Sequence, residues 1–362
     1  MAPSSKTTRI LLIRPSALGD VVRTVPVLVS LRRAHPDAHI DWLVQDDFQE
    51  AIAHHPDLSR VIPFPRRAFG HQLTRGQFGP FRAFLRELRE TQYDIVYDLQ
   101  GLARSGMMTH ATRAPRRIGF ADAREFGWLG LTERIPVSAD MHTVERMLAL
   151  THASGVPPVR DMRLYVSDKD RLGILADPDL PSDGYAVLAP GSRWPGKRWP
   201  DERFAAIAQH LVRRGLKVCL VGSRSERDHA SRCLDLADRT PKIIDRMGKT
   251  TIGQLMAIIR FSAMVIANDS AALHIAVGFD RPSIALFGPT RVDRVGPYRR
   301  EADVIQHIEP EDDLNHKHAA SGLALMKRIT VEEVMLRIDS MLLSDDVAEL
   351  GDIDDVGDID TN

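Results

Sequence analysis

Short runs of apolar, β-branched residues alternate along the chain with segments in which apolar residues recur every three or four positions. The short runs predict strands buried on both faces, and the periodic segments predict amphipathic helices. In the first half, strands are predicted at residues 9–14, 40–44 and 93–98, and a helix at 21–34. Strands that alternate with helices in this way form parallel sheets through right-handed crossovers.

A second series of the same kind follows residue 182. Its predicted strands are at residues 185–189, 217–221, 263–267 and 283–287, the last being the final strand. Its predicted helices are at residues 201–214, 225–237, 251–261 and 271–277. A chain of 362 residues is long enough for two domains, so we expect an α/β protein built from two Rossmann-like domains.

The segment between the two series is polar and contains prolines, which is typical of a linker. We therefore predict an N-terminal domain at 1–165, a linker at 166–182, a C-terminal domain at 183–328, a closing helix at 329–344 and a disordered acidic tail at 345–362.

Charge is unevenly distributed between the body and this tail. Residues 345–360 contain eight acidic residues and no basic one, and without those eight the formal charge of −1 becomes +7. A mildly basic body suits an anionic small molecule or an anionic membrane surface, and is too weakly charged to indicate nucleic acid. No apolar run is long enough for a signal peptide or a spanning helix, so we expect a cytoplasmic protein. Cys219 and Cys233 indicate neither a disulfide framework nor a zinc site.

Candidate chemistry is sought where strands end, because open parallel sheets bind ligands beyond the carboxyl ends of their strands. The loop at residues 15–20 follows the first strand and ends in Asp20. It has neither the dinucleotide-binding glycine fingerprint nor a Walker A motif. Asp20 has two interpretations. It is either the N-cap of the following helix or a general base at an interdomain cleft.

Two loops of the second series could hold a nucleoside diphosphate. Residues 189–200 offer the hydroxyl of Ser192 and the ammonium group of Lys197 to phosphate oxygens, although the same loop could be a turn with a solvated lysine. Glu226 follows the next strand, where a carboxylate can accept ribose hydroxyls or favour the first turn of a helix.

The loop at residues 268–274 leads from a strand into a short helix. Amides at Ser270 and Ala271 would face a bound diphosphate from the positive end of that helix. Asp269 or Ser270 could equally be an N-cap, and His274 a packed core residue. His316 and His318 form only a loop pair, and no D-x-D motif follows a strand, so we predict no metal site.

Five motifs in these regions occur in the order typical of one family. They are Ser16-x-x-Gly-Asp20, Asp98-x-Gln-Gly-Leu-x-x-Ser105, Lys197-x-Trp-Pro200, Asn268-Asp-Ser-x-x-x-His274 and Phe287-Gly-Pro-Thr290. With them the chain resembles glycosyltransferase family 9, the ADP-heptose:lipopolysaccharide heptosyltransferases, from about residue 9 to about residue 338. Arg117-Ile-Gly-Phe120 and His142-x-x-Glu-Arg146 look most like the branch that adds the first heptose to Kdo.

The resemblance implies a GT-B fold and a metal-independent, inverting transfer of heptose from ADP-L-glycero-D-manno-heptose to a Kdo-lipid A acceptor, with no cofactor. Asp20 falls at the family's catalytic base. The positions that fall at donor contacts are Ser192, Lys197, Glu226, Met247, Gly248, Asp269, Ser270, Ala271 and His274. For the anionic acceptor, the candidates are Arg66, Arg67, Gly101, Arg104 and Arg124.

Several alternatives remain open from the sequence. The chain could be a family member with a different donor or acceptor, a catalytically silent nucleotide-sugar-binding protein, or a UDP-sugar epimerase of the same architecture. The helical pattern at residues 78–89 interleaves aromatic and leucine residues with arginines. It suits either peripheral contact with the inner face of the cytoplasmic membrane or a half-buried helix.

Overall fold

The computed structural model describes residues 7–182 and 184–351, with side chains to residue 343. Each half of the chain contains one six-stranded parallel sheet. The strands of the first sheet are β1 (Arg9–Ile13), β2 (His39–Gln45), β3 (Arg60–Phe64), β4 (Ile95–Asp98), β5 (Arg116–Phe120) and β6 (Glu133–Ile135). Those of the second are β7 (Tyr185–Ala189), β8 (Lys217–Leu220), β9 (Ile243–Asp245), β10 (Met264–Asn268), β11 (Ser283–Leu286) and β12 (Val304–Ile305).

Helices cover both faces of the two sheets. In chain order they are α1 (Leu18–Arg23), α2 (Val25–Ala34), α3 (Arg66–Thr74), α4 (Gly79–Glu90), α5 (Ala103–Ala111), α6 (Thr143–Ala153), α7 (Asp168–Leu175), α8 (Asp201–Arg213), α9 (Ser231–Ala237), α10 (Ile252–Arg260), α11 (Ala271–Gly278), α12 (Val292–Val295), α13 (Ala319–Arg328) and α14 (Val331–Gly351). Short 3-10 helices lie at Asp46–Ala51, Gly127–Gly130, Pro195–Lys197, Arg224–His229 and Glu301–Asp303.

The two sheets have the same strand order. The first is β3-β2-β1-β4-β5-β6, and the second, followed from its other edge, is β9-β8-β7-β10-β11-β12. The order therefore reverses between β1 and β4 and again between β7 and β10. A crevice opens at such a switch point because the loops on either side leave in opposite directions. The predicted α/β class with two Rossmann-like domains is confirmed.

Strand alternation builds a core that both halves share. On β1, Ile10 and Leu12 belong to a central apolar cluster, whereas Leu11 and Ile13 face a separate cluster on the far side of the sheet. The central cluster continues through helices of both halves, as far as Tyr185 on β7. The two sheets thus turn one face each toward a common core.

The structure differs from the predicted elements at several boundaries. The helix expected at 21–34 begins earlier and is divided at Thr24, since Pro26 lies at the start of α2. The helix expected at 225–237 is divided at Ala230 into a 3-10 turn and α9. The predicted linker contains α7, because the Ser167 hydroxyl accepts the Asp170 amide and caps a helical turn.

Two further differences concern the C-terminal half. β11 is not the last strand, since β12 pairs with it through Ala285 and Leu286. Helix α14 extends to Gly351, seven residues beyond the predicted end at 344, and residues 352–362 of the predicted tail lie outside the described part.

Helix α4 covers residues 79–90 and so includes nearly all of the segment at 78–89 for which the sequence left two interpretations. Phe84 and Leu88 are buried, and Phe81 and Leu85 pack against the same cluster on the outer face of the first sheet. This helix is therefore half-buried, with its apolar face against the sheet. Within the described residues, no helix is both long and apolar enough to cross a bilayer.

Candidate active site

A cleft of about 640 Å³ lies between the two halves, where both switch points open. It is lined on one side by the loops after β1, β4 and β5, and on the other by residues that follow β7 and β11. Of the predicted site residues, Asp20, Gly101, Arg124 and Lys197 line it. Arg14, Arg23, Arg146, Arg291, Arg294 and His316 line it as well, so the cleft is strongly basic.

Asp20 is the third residue of α1, and Ala17, not Asp20, is the N-cap. Its Oδ1 lies 2.6 Å from Arg23 Nη2 and 3.2 Å from Arg14 Nη2, and its Oδ2 accepts the Ala17 amide at 3.2 Å. The side chain is 27% exposed and lines the cleft. The carboxylate thus secures the first turn of α1 and also faces the cleft.

The charge of Asp20 is fixed by these neighbours. Burial alone would raise the pKa of the carboxyl group, but the guanidinium groups of Arg14 and Arg23 and the Ala17 amide outweigh it and lower the pKa to about 2. Asp20 is therefore ionised at any physiological pH. It is in the correct state to accept a proton, and its orientation is fixed by three donors.

The loop after β4 forms the floor of the cleft beside Asp20. Oδ1 of Asp98 accepts the amides of Gln100 and Gly101, both at 3.0 Å, and this turn requires the left-handed backbone of Gly101 (φ +66°). Arg14 donates a second hydrogen bond to the carbonyl of Leu99. Burial raises the pKa of Asp98 to about 6, and the two amides offset only part of that rise.

On the opposite side, Lys197 and Asp269 form an ion pair. Lys197 Nζ donates to Asp269 Oδ2 at 2.6 Å, and the two side chains are 13% and 10% exposed. Asn268 joins the two loops that carry them: its Nδ2 donates to Pro190 O at 2.7 Å and its Oδ1 accepts the Trp199 amide at 3.1 Å. The predicted phosphate cradle and the predicted donor loop therefore meet at one point.

Helix α11 packs directly against α1 across the interdomain boundary. A Cβ on Gly19 would lie 2.9 Å from His274 Cδ2, so a glycine is required for this approach. Burial, together with the positive charge of Arg23, lowers the pKa of His274 well below its usual value, and the imidazole is neutral. Gly19, which precedes Asp20, thus contacts the helix that follows the predicted donor loop.

Three buried polar atoms, two at α11 and one in the loop after β11, have no hydrogen-bond partner within the described part of the chain. They are Ser270 Oγ, His274 Nδ1 and Thr290 Oγ1. Ser270 is the N-cap of α11, yet its hydroxyl makes no capping bond. Buried polar atoms are rarely left unpaired, so this group suits completion by a polar ligand.

The predicted ribose and adenine contacts lie beside the loop after β7. Glu226 Oε2 accepts the amide and the hydroxyl of Ser223 at 2.7 and 2.8 Å, which caps the 3-10 turn that follows. A Cβ on Gly191 would lie 2.6 Å from Glu226 Cδ, so the carboxylate covers that loop. Met247 is buried over Gly222. Gly248 has a left-handed backbone and donates its amide to the carbonyl of Gly222.

Three of the five acceptor candidates, Arg66, Arg67 and Arg104, lie outside the cleft lining. Arg66 and Arg104 are exposed and close enough that the charge of Arg66 helps to lower the pKa of Arg104, after the effect of burial. Arg67 is 85% exposed at its side chain and pairs with Asp47 at 3.4 Å. Arg124 lines the cleft, and its amide donates to the carbonyl of Gly101 at 2.9 Å.

Several cleft residues were missed from the sequence. Arg14 ends the predicted first strand and Arg23 lies one helical turn after Asp20. The sequence could therefore have indicated that both arginines lie near Asp20. Arg146 pairs with Asp122 at 2.5 Å, and its guanidinium group lies 4.1 Å above the ring of Phe120.

His316 was considered only as a metal ligand. Its ring packs edge-on against Trp194, with centroids 5.0 Å apart, and burial and the charge of Lys197 lower its pKa. The described residues contain no group of three or more potential metal ligands close together.

Comparison with known proteins identifies the family of the chain. The model of glycosyltransferase family 9 (heptosyltransferase) matches residues 81–323. Lipopolysaccharide heptosyltransferase 1 of Pseudomonas aeruginosa is 33% identical over 81% of this chain and 82% of its own length. Lipopolysaccharide heptosyltransferase 2 of Salmonella typhimurium is 27% identical over 94% of this chain and its whole length.

Solved structures agree with this assignment at the level of the fold. The Escherichia coli ADP-heptose LPS heptosyltransferase II superposes with a TM-score of 0.78 at 24% identity, covering 94% of this chain and all of that one. The E. coli heptosyltransferase WaaC with ADP gives 0.73 at 24% identity, covering 92% and 100%. The expected GT-B fold is confirmed. The chain is therefore an enzyme that belongs to glycosyltransferase family 9, the heptosyltransferases.

Proposed function

We propose that this enzyme transfers heptose from ADP-L-glycero-D-manno-heptose to the Kdo-bearing inner core of lipopolysaccharide, with inversion at the anomeric carbon. The observation that carries the proposal is the arrangement of one cleft, in which the ionised carboxylate of Asp20 faces Lys197, a lysine of the loop after β7 that pairs with Asp269 beside the N-terminus of α11. The names of the relatives support the heptosyl donor and the lipopolysaccharide acceptor.

The donor diphosphate binds at the second switch point. Lys197 exchanges part of its pairing with Asp269 for the phosphate oxygens, and the amides at the start of α11 face the same anion. The hydroxyls of Ser270 and Thr290, which have no partner within the described residues, complete their hydrogen bonding there. These groups stabilise the negative charge that grows on the leaving ADP, which is the contribution a divalent cation would otherwise make.

Asp20 acts on the acceptor from the first switch point. Its carboxylate accepts the proton of the attacking hydroxyl as the new bond to the anomeric carbon forms and the bond to the diphosphate breaks. A pKa of about 2 makes Asp20 a weak base in the free enzyme. Its contribution is therefore orientation of the nucleophile, and proton transfer occurs late, when the hydroxyl has become strongly acidic.

The anionic acceptor enters over the N-terminal half. Arg124 and Arg146 line the cleft on that side, close to Gly101, and can pair with carboxylate or phosphate groups of the inner core. We propose that the enzyme acts in the cytoplasm, at the inner face of the cytoplasmic membrane, where a lipid-anchored acceptor is presented.

The test is ADP release from ADP-L-glycero-D-manno-heptose, measured with and without Kdo-lipid A and in the presence of EDTA. We expect acceptor-dependent release that survives EDTA and is lost by orders of magnitude in Asp20→Asn, with ADP affinity unchanged. The product anomer, read by NMR, tests inversion. Equal turnover in Asp20→Asn would remove Asp20 from the mechanism. ADP binding without release would favour a different acceptor or a catalytically silent binding protein.

A further inference from the structure

Three large apolar side chains are exposed on one edge of the N-terminal half. Met107 on α5 is 43% exposed, and Phe126 and Leu129, which flank and belong to the 3-10 helix Gly127–Gly130, are 72% and 61% exposed. We call these three residues the apolar edge. Apolar side chains exposed close together on a protein surface commonly mark an interaction site.

The apolar edge is rigidly supported. A Cβ on Gly106 would lie 2.2 Å from the carbonyl oxygen of Gly127, and one on Gly130 would lie 2.0 Å from the carbonyl oxygen of Gly106. The two backbones are therefore in direct contact through glycines, which leaves no room for side chains between them. Because α5 and the 3-10 helix pack so closely, the larger neighbouring side chains point outward.

Four arginines and a tryptophan lie on the elements that carry these three side chains or next to them in the chain. Arg104, Arg113, Arg124 and Arg134 are exposed on the same elements or next to them. The guanidinium group of Arg134 lies 4.3 Å above the ring of Trp128, which is half-buried. The nearby carboxylates of Asp122 and Glu133 are paired with Arg146 and Arg116, which leaves Glu125 as the exposed acidic side chain beside Phe126.

The apolar edge also lies at the acceptor side of the cleft. Phe126 is two residues from Arg124, which lines the cleft. The amide of Gly127 donates to the carbonyl of Arg124 at 2.9 Å, and the amide of Arg124 donates to Gly101 in the cleft floor. A continuous, hydrogen-bonded backbone thus connects the apolar edge to the cleft.

We propose that the apolar edge inserts into the interfacial layer of an anionic lipid leaflet, with the surrounding arginines on the headgroups, and so holds the cleft at the height of a lipid-anchored acceptor. Exposed apolar side chains on a rigid support, with arginines and a tryptophan on the same elements, match the layered chemistry of a bilayer surface. The contact is made by α5 and the 3-10 helix, not by α4, whose apolar face packs inward. This inference rests on the proposed function only for the identity of the acceptor.

Binding to vesicles tests the inference without any assumption about the reaction. Phe126→Asn with Leu129→Gln removes the two most exposed side chains, and asparagine suits the left-handed backbone at residue 126 (φ +60°). The matched control is Leu172→Gln with Leu336→Gln, which replaces leucines that are 56% and 71% exposed on α7 and α14. The probe is vesicle flotation with phosphatidylcholine alone or with phosphatidylglycerol added.

We expect the wild type and the control to float with the anionic vesicles and the edge variant to lose roughly tenfold or more in partitioning, because about two apolar side chains leave the lipid. Neutral vesicles should bind all three proteins weakly. Equal flotation of the edge variant and the wild type would overturn the proposal. So would light scattering that showed a wild-type dimer split by the edge variant, since the edge would then join two copies of the chain.

Activity separates this inference from the proposed function. On a water-soluble, deacylated acceptor, the edge variant should match the wild type, and on the same sugar anchored in vesicles its kcat/KM should fall about tenfold, in line with lost binding. An equal loss on both acceptors would overturn the inference, because the edge would then serve the cleft itself. Absence of activity in the wild type on both acceptors would refute the proposed function, while flotation would still decide the membrane contact.

Discussion

Lys197 Nζ lies 2.6 Å from Asp269 Oδ2, in a pair whose side chains are only 13% and 10% exposed. The cation that we assign to the donor diphosphate is therefore paired with a carboxylate of the protein itself. A nucleoside diphosphate must compete with this carboxylate, and the pair keeps Lys197 desolvated and correctly oriented before the donor arrives.

Changing the two partners should have opposite effects on ADP binding. Lys197→Met should weaken ADP affinity about 10- to 100-fold, because a charge-assisted hydrogen bond is lost. Asp269→Asn should tighten ADP by several-fold, because it removes both a competitor and a repulsive charge. Calorimetry with ADP measures both effects. The control is Lys217→Met, which changes a lysine at the start of β8 that does not line the cleft. Weaker ADP binding in Asp269→Asn would contradict the competition.

The pH dependence of kcat/KM should reveal how Asp20 is held. With a pKa of about 2, the free wild-type enzyme should show no loss of activity from protonation of Asp20 between pH 7 and pH 4. Arg23→Met removes a cation 2.6 Å from Oδ1, which should raise the pKa of Asp20 by about 1 and move the acidic limb upward. Arg33→Met, an exposed change on α2, is the control. Identical acidic limbs would mean that Arg23 does not set the charge of Asp20.

The close contact between α1 and α11 predicts that a single methyl group added at residue 19 destabilises the protein. Gly19→Ala places a Cβ 2.9 Å from the buried His274 ring, and should lower the free energy of unfolding by about 1–3 kcal/mol and reduce kcat as the helices separate. Urea unfolding measures the first effect. Gly173→Ala, on α7 with nothing within 4 Å of the added Cβ, should instead stabilise by about 0.5–1 kcal/mol.

A second substitution tests whether that cost arises from this contact. Adding His274→Ala to Gly19→Ala removes the ring that the methyl group meets. The two changes should therefore be less destabilising together than the sum of their separate effects, a coupling of about 0.5–3 kcal/mol. Strictly additive effects would show that the strain lies elsewhere.

The raised pKa of Asp98 predicts that the folded protein becomes less stable as the pH rises. Its pKa is about 6 in the folded protein and near 3.8 otherwise, so between those values the folded state keeps a proton that the unfolded state releases. Asp98→Asn keeps an acceptor for the Gln100 and Gly101 amides and cannot ionise. Between pH 4 and pH 7, the free energy of unfolding of this variant should rise relative to that of the wild type by on the order of 2–3 kcal/mol, as measured by urea unfolding. Asp37→Asn is an exposed control. Parallel curves for Asp98→Asn and the wild type would refute the raised pKa.

The sequence predicted the repeated strand–helix order and the loops after β1, β7, β8 and β10, because strands buried on both faces leave continuous apolar runs. It did not predict β3, β5, β6 and β9, or β12, whose two residues give no periodicity. It also did not predict α7, whose cap at Ser167 lies in a segment with few apolar residues. The pairing of strands far apart in sequence, such as β1 with β4, required the structure. The structure was also needed to identify the buried groups that contact the site residues.

The sequence predicted the location of Asp20 but not the groups that contact its carboxylate. Its position after a strand predicted its place at the cleft, but two interpretations remained because spacing alone does not reveal which groups contact a carboxylate. The structure adds Arg14 and Arg23, and they decide its charge. For Arg66, Arg67 and Arg104, charge alone predicted acceptor contacts, and the structure places these three residues outside the lining of the cleft.

The apolar cluster common to both halves limits how this enzyme can be recombined. Ile10 from the first sheet and Tyr185 from the second belong to it, and α1 meets α11 within it. A chimera that joins this N-terminal half to the C-terminal half of a relative would bring together two surfaces that did not diverge in concert. Transplanting a new acceptor range therefore requires the facing residues of α1 and α11 to be exchanged as a set.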